Sequence, residues 1–183
     1  PEFTGWGNKA DIASSTTPTT TPQSTSTTPT NPISKVVAPL PLSVVIEALD
    51  RTVTVLNPEK SDVVSLDTAL LKGAVRYPES ASYKKPGTMV LLGHSSYLPT
   101  VHNKNFQAFN GIQKLEWGDI IRVNTADTEY TYRVQRVREA KASTAEVDLQ
   151  WRKYELVLVT CNSFGSKEDR FIVEAYLIGE RPL

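Results

Sequence analysis

From about residue 42 onward, the chain consists of short apolar runs separated by polar segments rich in Gly, Pro, Asn and Asp. The runs are rich in β-branched residues, and one of them, EYTYRVQRV, alternates apolar and polar positions as half-buried strands do. Strand and helix patterns do not alternate regularly, so a doubly wound α/β fold is not indicated. The pattern predicts a mainly β domain of seven or eight short strands, arranged as a barrel or a sandwich.

Polar segments rich in turn residues mark the limits of most of the predicted strands. Residues 67–78, DTALLKGAVRYP, have instead the spacing of a short helix ended by Pro78. Two strands carry a reactive side chain at or near the far end, His94 in one and Cys161 in the other. The predicted strands are 42–49 and 51–57, separated by a turn at Asp50, then 87–96, 120–124, 129–137, 155–161 and 170–178.

The N-terminal part of the chain has a different composition. Residues 14–32, SSTTPTTTPQSTSTTPTNP, are Ser, Thr or Pro except at two positions. Such a segment cannot bury enough apolar surface to offset its conformational entropy, and its prolines favour an extended backbone. We therefore expect a tail that starts with a cloning scar (1–13), a flexible linker (14–40) and a folded domain (41–183). The linker composition suits an extracellular stalk and a plain disordered spacer equally well.

Composition excludes several classes of function. Twenty basic and twenty acidic side chains give a net charge of zero, so nucleic acid and anionic membranes are not indicated as partners. No apolar run approaches the roughly 18 residues of a membrane span, and no signal-peptide pattern is present. The single cysteine cannot form an internal disulfide, and with two histidines it offers no paired metal-ligand spacing. The thiol is therefore either a buried structural residue or a reactive group.

Three side chains at strand ends have complementary chemistry. His94 follows the apolar run MVLLG, Cys161 ends LVLVTC, and Arg170 begins the strand after the next loop. A thiolate is a nucleophile, an imidazole transfers protons, and a guanidinium binds a carbonyl oxygen or an oxyanion. His102 is the competing base, but it lies in the polar loop LPTVHNKN. Each of the three also has an ordinary structural explanation: a hydrogen-bonded histidine, a small buried thiol and a surface ion pair.

The motifs LLGHSS around His94 and LVTC ending at Cys161, followed by Arg170, occur in the order His, Cys, Arg. With these motifs the chain resembles the sortases, the cysteine transpeptidases of bacterial cell surfaces. The segments GAVRYPESASYKKPGTMVLLGH, EWGDIIRV and YTYRVQRV are also similar to the family, and the resemblance covers residues 42–177. It implies a closed eight-stranded β-barrel with one or two short helices.

The resemblance also implies catalytic roles. Cys161 attacks the threonine carbonyl of an LPxTG-like sorting signal and forms a thioacyl enzyme. His94 protonates the leaving amine and later deprotonates the incoming amine. Arg170 stabilises the oxyanion together with the backbone N–H of Asn162, and Thr160 supports the site beside the nucleophile.

Two departures from the family pattern bear on which subclass of sortase the chain resembles. The family's TLxTC motif begins here with Val157, and Gly87-Thr88 stands where Gly-Asn is frequent. The chain contains no Asp-Pro-aromatic lid element of the pilin-polymerising sortases, so a housekeeping or class D-like sortase is favoured.

Substrate recognition is expected around the loop 139–154, where sortases commonly bind the sorting signal. Val159, Leu158, Glu139 and Trp151 are the predicted recognition residues. The resemblance implies no metal site and no cofactor, with calcium dependence left open. Its partners are a sorting-signal peptide and an amine of peptidoglycan or of a pilin. It also implies an N-terminal membrane anchor outside this sequence, and action on the extracellular face of the cytoplasmic membrane.

Two other functions remain compatible with the residues. One is a non-catalytic extracellular β-domain on a Ser/Thr/Pro stalk, in which the thiol is buried. The other is a cysteine endopeptidase that only hydrolyses its thioacyl intermediate. Thiol accessibility separates the first from a sortase, and ligation to an added amine separates the second.

Overall fold

The structure is a computed structural model that describes residues 39–83, 86–141, 147–149, 154–164 and 169–183, with the backbone alone for 161–164. The predicted tail and nearly all of the predicted linker lie outside these residues, as does Trp151.

The described residues form a closed barrel of eight strands in the order β1-β2-β3-β4-β7-β8-β6-β5. The β2–β3 and β4–β7 pairs are parallel, and the other pairs are antiparallel. The predicted mainly β, closed eight-stranded fold is thereby confirmed. The strands are β1 (Ser43–Ile46), β2 (Arg51–Leu56), β3 (Ala74–Arg76), β4 (Gly87–Ser96), β5 (Ile120–Asn124), β6 (Thr128–Lys141), β7 (Tyr154–Phe164) and β8 (Asp169–Pro182).

One α-helix, α1 (Val63–Leu70), lies within the described residues. The prediction of a helix over 67–78 was therefore wrong at both ends. The helix starts earlier because the Asp62 side chain caps it by accepting a hydrogen bond from the Ser65 backbone N–H at 3.0 Å. After Leu70 the chain turns into the short strand β3, which the sequence pattern did not reveal. The described part of the chain also contains three short 3-10 helices, at Glu47–Leu49, Lys104–Gln107 and Ile112–Lys114.

Apolar side chains form two clusters, one inside the barrel and one on its outer face. Because successive side chains of a strand point to opposite faces, Leu156 and Leu158 of β7 enter the barrel core, whereas Val157 and Val159 face outward. The outer cluster consists of Val90, Val157, Val159 and Ile172. Val147 and Leu149, from the described part of the β6–β7 loop, pack against it. The ends of β4, β7 and β8 therefore have apolar support on both faces.

Candidate active site

The backbones of the three predicted catalytic residues lie in one row across β4, β7 and β8. His94 pairs directly with Cys161 in the parallel β4–β7 ladder. In the antiparallel β7–β8 ladder Val159 pairs with Ile172, and carrying that register on by two residues sets Cys161 opposite Arg170. We call these three positions the three-strand row. Position 161 thus lies between a histidine that is distant in the sequence and an arginine that follows it after one loop.

The His94 side chain is half-buried at the end of β4. Its ring lies 5.3 Å from the Phe106 ring, between centroids, at an interplanar angle of 55°. Burial lowers the pKa of His94 below its ordinary value of 6.5, and the negative charge of Asp67 opposes that shift only in part. The neutral imidazole is therefore the main form at neutral pH, and it is able to accept a proton.

A segment between β4 and β5 fixes the end of β4. The Phe109 N–H donates to the His94 backbone oxygen at 2.9 Å, and the Phe109 ring packs against Gly93. A Cβ atom at Gly93 would come within 2.8 Å of the Cε2 atom of Phe109. The missing side chain of Gly93 thus allows the close approach of this ring. Sequence reasoning missed Phe109, because no local pattern links it to the histidine.

The guanidinium of Arg170 is half-buried, and its Nη1 atom is fully buried without a hydrogen-bond partner among the described residues. Buried donors are almost always satisfied, so an unpaired cationic donor at the end of a strand is suited to bind a substrate oxygen. Thr160 is 1% exposed, and its Oγ1 atom accepts a hydrogen bond from the Phe171 N–H at 2.9 Å. This bond ties β7 to β8 beside positions 161 and 170.

The predicted recognition residues have different surroundings. Leu158 is fully buried in the barrel core, which leaves it no surface for a substrate and corrects its assignment to recognition. Val159 belongs to the outer cluster and is 8% exposed. Glu139 is an exposed residue near the end of β6, paired with Phe171 of β8. Trp151 and the side chain of Asn162 lie outside the described residues.

An open cleft of about 620 Å³ lies beside the three-strand row. Its lining includes Ser95, Thr160 and Asp169, each the immediate neighbour in sequence of one member of the row. We call it the mouth cleft. Among the described residues, no three His, Cys, Asp or Glu side chains are grouped so as to hold a metal ion.

The family model of the sortase domain matches residues 44–178, which include most or all of each of the eight strands. The chain belongs to the sortase family. Sortase A of Bacillus anthracis is 31% identical over 117 residues, which are 64% of this chain and 52% of that protein. Sortase D of Bacillus subtilis (strain 168) is 31% identical over 108 residues, 57% of this chain and 50% of that protein. The chain thus spans about half the length of these curated relatives, and the match to sortase D is consistent with a class D-like sortase.

Solved sortase structures have the same fold. A mutant of sortase E from Streptomyces avermitilis superposes with a TM-score of 0.59 at 25% identity, covering 78% of this chain and 91% of that one. Sortase A from Listeria monocytogenes superposes with a TM-score of 0.61 at 20% identity, covering 80% of this chain and 92% of that one. The second similarity establishes the fold alone.

Proposed function

We propose that this sortase is a cysteine transpeptidase, a thiol peptidase that cleaves an LPxTG-like sorting signal and transfers the acyl part to an amine of the cell envelope. The observation that carries the proposal is the three-strand row, in which a thiol position lies between a histidine and an arginine. Membership of the sortase family supports a transpeptidase of this general type.

The first half of the reaction breaks the peptide bond. The Cys161 thiol passes its proton to the His94 imidazole, and the thiolate attacks the carbonyl carbon of the signal's threonine. The guanidinium of Arg170 and the backbone N–H of Asn162 stabilise the oxyanion. The C–N bond then breaks, and the imidazolium of His94 gives its proton to the leaving amine. The product is a thioester between Cys161 and the shortened surface protein.

The second half transfers the acyl group. An acceptor amine attacks the thioester carbon and loses its proton to neutral His94, and the C–S bond breaks to restore the thiolate. The lowered pKa of His94 keeps most of the imidazole neutral at neutral pH, so that its nitrogen is available to accept the proton. Arg170 again stabilises the oxyanion.

The sorting signal is proposed to bind on the outer face, beside the outer cluster. Position 161 follows Val157 and Val159 in the two-residue repeat of β7. Val147 and Leu149 already contact that cluster, so the β6–β7 loop is suited to cover an apolar signal residue there. Val159 and Glu139 remain recognition candidates, together with Trp151.

The proposed cellular setting follows from the family. Sortases act at the bacterial cell envelope, and we propose the extracellular face of the cytoplasmic membrane, with an anchor N-terminal to the Ser/Thr/Pro linker. Within the described ranges, no helix has the length and hydropathy of a membrane span. The proposed partners are a sorting-signal peptide and an amine of peptidoglycan or of a pilin.

The test is a mass-spectrometric transpeptidation assay with LPxTG-like peptides and a glycine or diaminopimelate acceptor, comparing the chain with Cys161→Ala. We expect ligated product and a thioacyl adduct only when the thiol is present. Hydrolysed peptide without ligation to any amine would favour a cysteine endopeptidase. A thiol that resists a methanethiosulfonate reagent, together with no adduct, would favour the non-catalytic β-domain.

A further inference from the structure

The imidazole of His94 needs a neighbouring group that fixes its orientation. In the proposed reaction it exchanges a proton with the Cys161 thiol and then with two different amines. The Cβ–Cγ torsion of a histidine has a broad preference, so the side chain alone does not determine where its two ring nitrogens point. The β4–β7 pairing sets the backbones of His94 and Cys161 side by side, but it does not set this torsion.

The ring of Phe106 lies against this imidazole. The two ring centroids are 5.3 Å apart, and the ring planes meet at 55°. Both values agree with the tilted arrangement that aromatic pairs prefer. The two side chains are half-buried, so part of the imidazole stays accessible to a substrate amine. Phe106 thus covers His94 on one side and leaves room for proton exchange on another.

The segment that carries Phe106 is held on both sides by hydrogen bonds to other parts of the barrel. Before the ring, the side-chain amides of Asn103 and Asn105 both donate to the Leu71 oxygen after α1, at 2.7 and 2.9 Å. After the ring, the side-chain amide of Gln107 donates to a backbone oxygen of the loop that follows β4, at 2.6 Å. Such support keeps a side chain in one place beside a reacting group.

We propose that Phe106 is a positioning residue, whose ring restricts the imidazole of His94 to the orientation that exchanges protons with the Cys161 thiol and with the substrate amines. This inference rests on the proposed transpeptidase function. In this assignment Phe106 acts through His94 alone and contacts neither the thiol nor the sorting signal. Loss of the ring should therefore slow both halves of the reaction without weakening the binding of the signal on the outer face.

The ring also keeps water from one side of the imidazole. Burial is the main cause that lowers the pKa of His94, and the carboxylate of Asp67 on α1 acts in the opposite direction. Phe106→Leu replaces the ring by a smaller side chain, so the imidazole should be better hydrated and its pKa should rise toward 6.5. Phe106→Tyr keeps the ring and should keep the pKa. Asp67 is present in both variants, so a difference between them reports on the ring.

The kinetic test compares Phe106→Leu with Phe106→Tyr. Active enzyme is counted by titrating the thiol with a methanethiosulfonate reagent, so a loss of folded protein does not enter the rates. In Phe106→Leu we expect kcat to fall by about threefold to tenfold, both for thioacyl formation and for transfer to glycine. The KM for the sorting-signal peptide should stay within about twofold of the wild type, because the outer face is unchanged. Phe106→Tyr should restore most of the lost kcat.

Tyr97→Leu is the matched control. Tyr97 is an exposed aromatic residue of the same connection between β4 and β5, and its ring has no aromatic contact among the described residues. This variant should keep the wild-type kcat and the wild-type pKa of His94. A wild-type kcat in Phe106→Leu, or an equal loss of kcat in Phe106→Leu and Phe106→Tyr, overturns the inference.

An NMR titration separates this inference from the proposed function. The imidazole signal of His94 is followed with pH in Cys161→Ala, alone and combined with each Phe106 variant, so no catalysis is needed. A midpoint that rises with Phe106→Leu and not with Phe106→Tyr, in a chain that ligates no peptide, would reject the transpeptidase and keep the control of His94 by the ring. An unmoved midpoint in Phe106→Leu, together with an unchanged kcat in an active enzyme, would reject the positioning role alone.

Discussion

The side-chain amide of Asn110 binds both backbone polar groups of Ser96, two residues beyond His94. The Ser96 N–H donates to Oδ1 at 2.7 Å, and Nδ2 donates to the Ser96 oxygen at 2.6 Å. On this edge of β4 the short strand β3 pairs only with Leu91 and Leu92. The Phe109 N–H and the Asn110 side chain therefore take the place of a neighbouring strand and hold the end of β4 in line.

Replacing Asn110 by alanine should make the position of His94 less well fixed. Asn110 itself is assigned no contact with the substrate. Loss of two hydrogen bonds is expected to lower the free energy of unfolding by about 2 kcal/mol. Loss of alignment at the strand end should lower kcat/KM for cleavage of the sorting signal by roughly tenfold or more. The measurements are urea denaturation and peptide cleavage. Asn103→Ala is the control, because it removes a side-chain amide bond to the Leu71 oxygen in the same segment. An activity loss in Asn103→Ala as large as in Asn110→Ala would contradict the positioning role.

Gly93 should tolerate no side chain. In Gly93→Ala the added Cβ meets the Phe109 ring in a fully buried site, so we expect a loss of about 1–3 kcal/mol in the free energy of unfolding. Gly179→Ala serves as the control, since nothing lies within 4 Å of a Cβ there. Combining Gly93→Ala with Phe109→Leu should recover part of the loss in a double-mutant cycle. Additive effects of the two substitutions would argue against the contact as the cause.

The strands of the barrel could be predicted where the local sequence pattern agrees with the folded structure. The limits of β4 and β5 agree with the predicted 87–96 and 120–124, because apolar runs there end at turn residues. The helix prediction was wrong because 67–78 contains both the end of α1 and the strand β3. Strand pairing with Leu91 and Leu92 decides that Ala74–Arg76 is extended, and a local pattern carries no information on that contact.

The candidate site, too, could be predicted only in part from the sequence. His94, Cys161 and Arg170 were singled out because reactive residues at strand ends are visible in the sequence, and the family motifs fixed their order. Phe109 and Asn110 were not singled out, because their contacts come from segments that meet only in the folded barrel. Leu158 was misassigned although the two-residue alternation of β7 would have placed it in the core.

Thr160 should be replaceable by serine but not by valine. Its hydroxyl accepts from the part-buried Phe171 N–H, and Thr160→Val would leave that donor without its acceptor at a cost of about 1 kcal/mol. Thr160→Ser keeps the acceptor and should be clearly more stable to urea than Thr160→Val. We also expect slower thioacyl formation in Thr160→Val, because the β7–β8 junction next to position 161 loosens. Equal stability of the two variants would show that the hydrogen bond contributes little.

The charge state of His94 should make stability depend on pH in a defined direction. Burial lowers its pKa in the folded state below the ordinary 6.5 of the unfolded chain. The unfolded chain therefore binds more protons in the window that extends from about pH 6.5 down to the folded pKa. The free energy of unfolding should decrease as the pH falls through this window.

The comparison with His94→Gln isolates this contribution. The stability of the wild type relative to His94→Gln should be greatest above pH 6.5 and should decline below it. In an NMR titration, the imidazole signal that is missing from His94→Gln should have a midpoint below 6.5. Asp67→Asn should lower that midpoint further, because the carboxylate of Asp67 favours the imidazolium. A midpoint at or above 6.5 would mean that burial does not govern the proton affinity of His94.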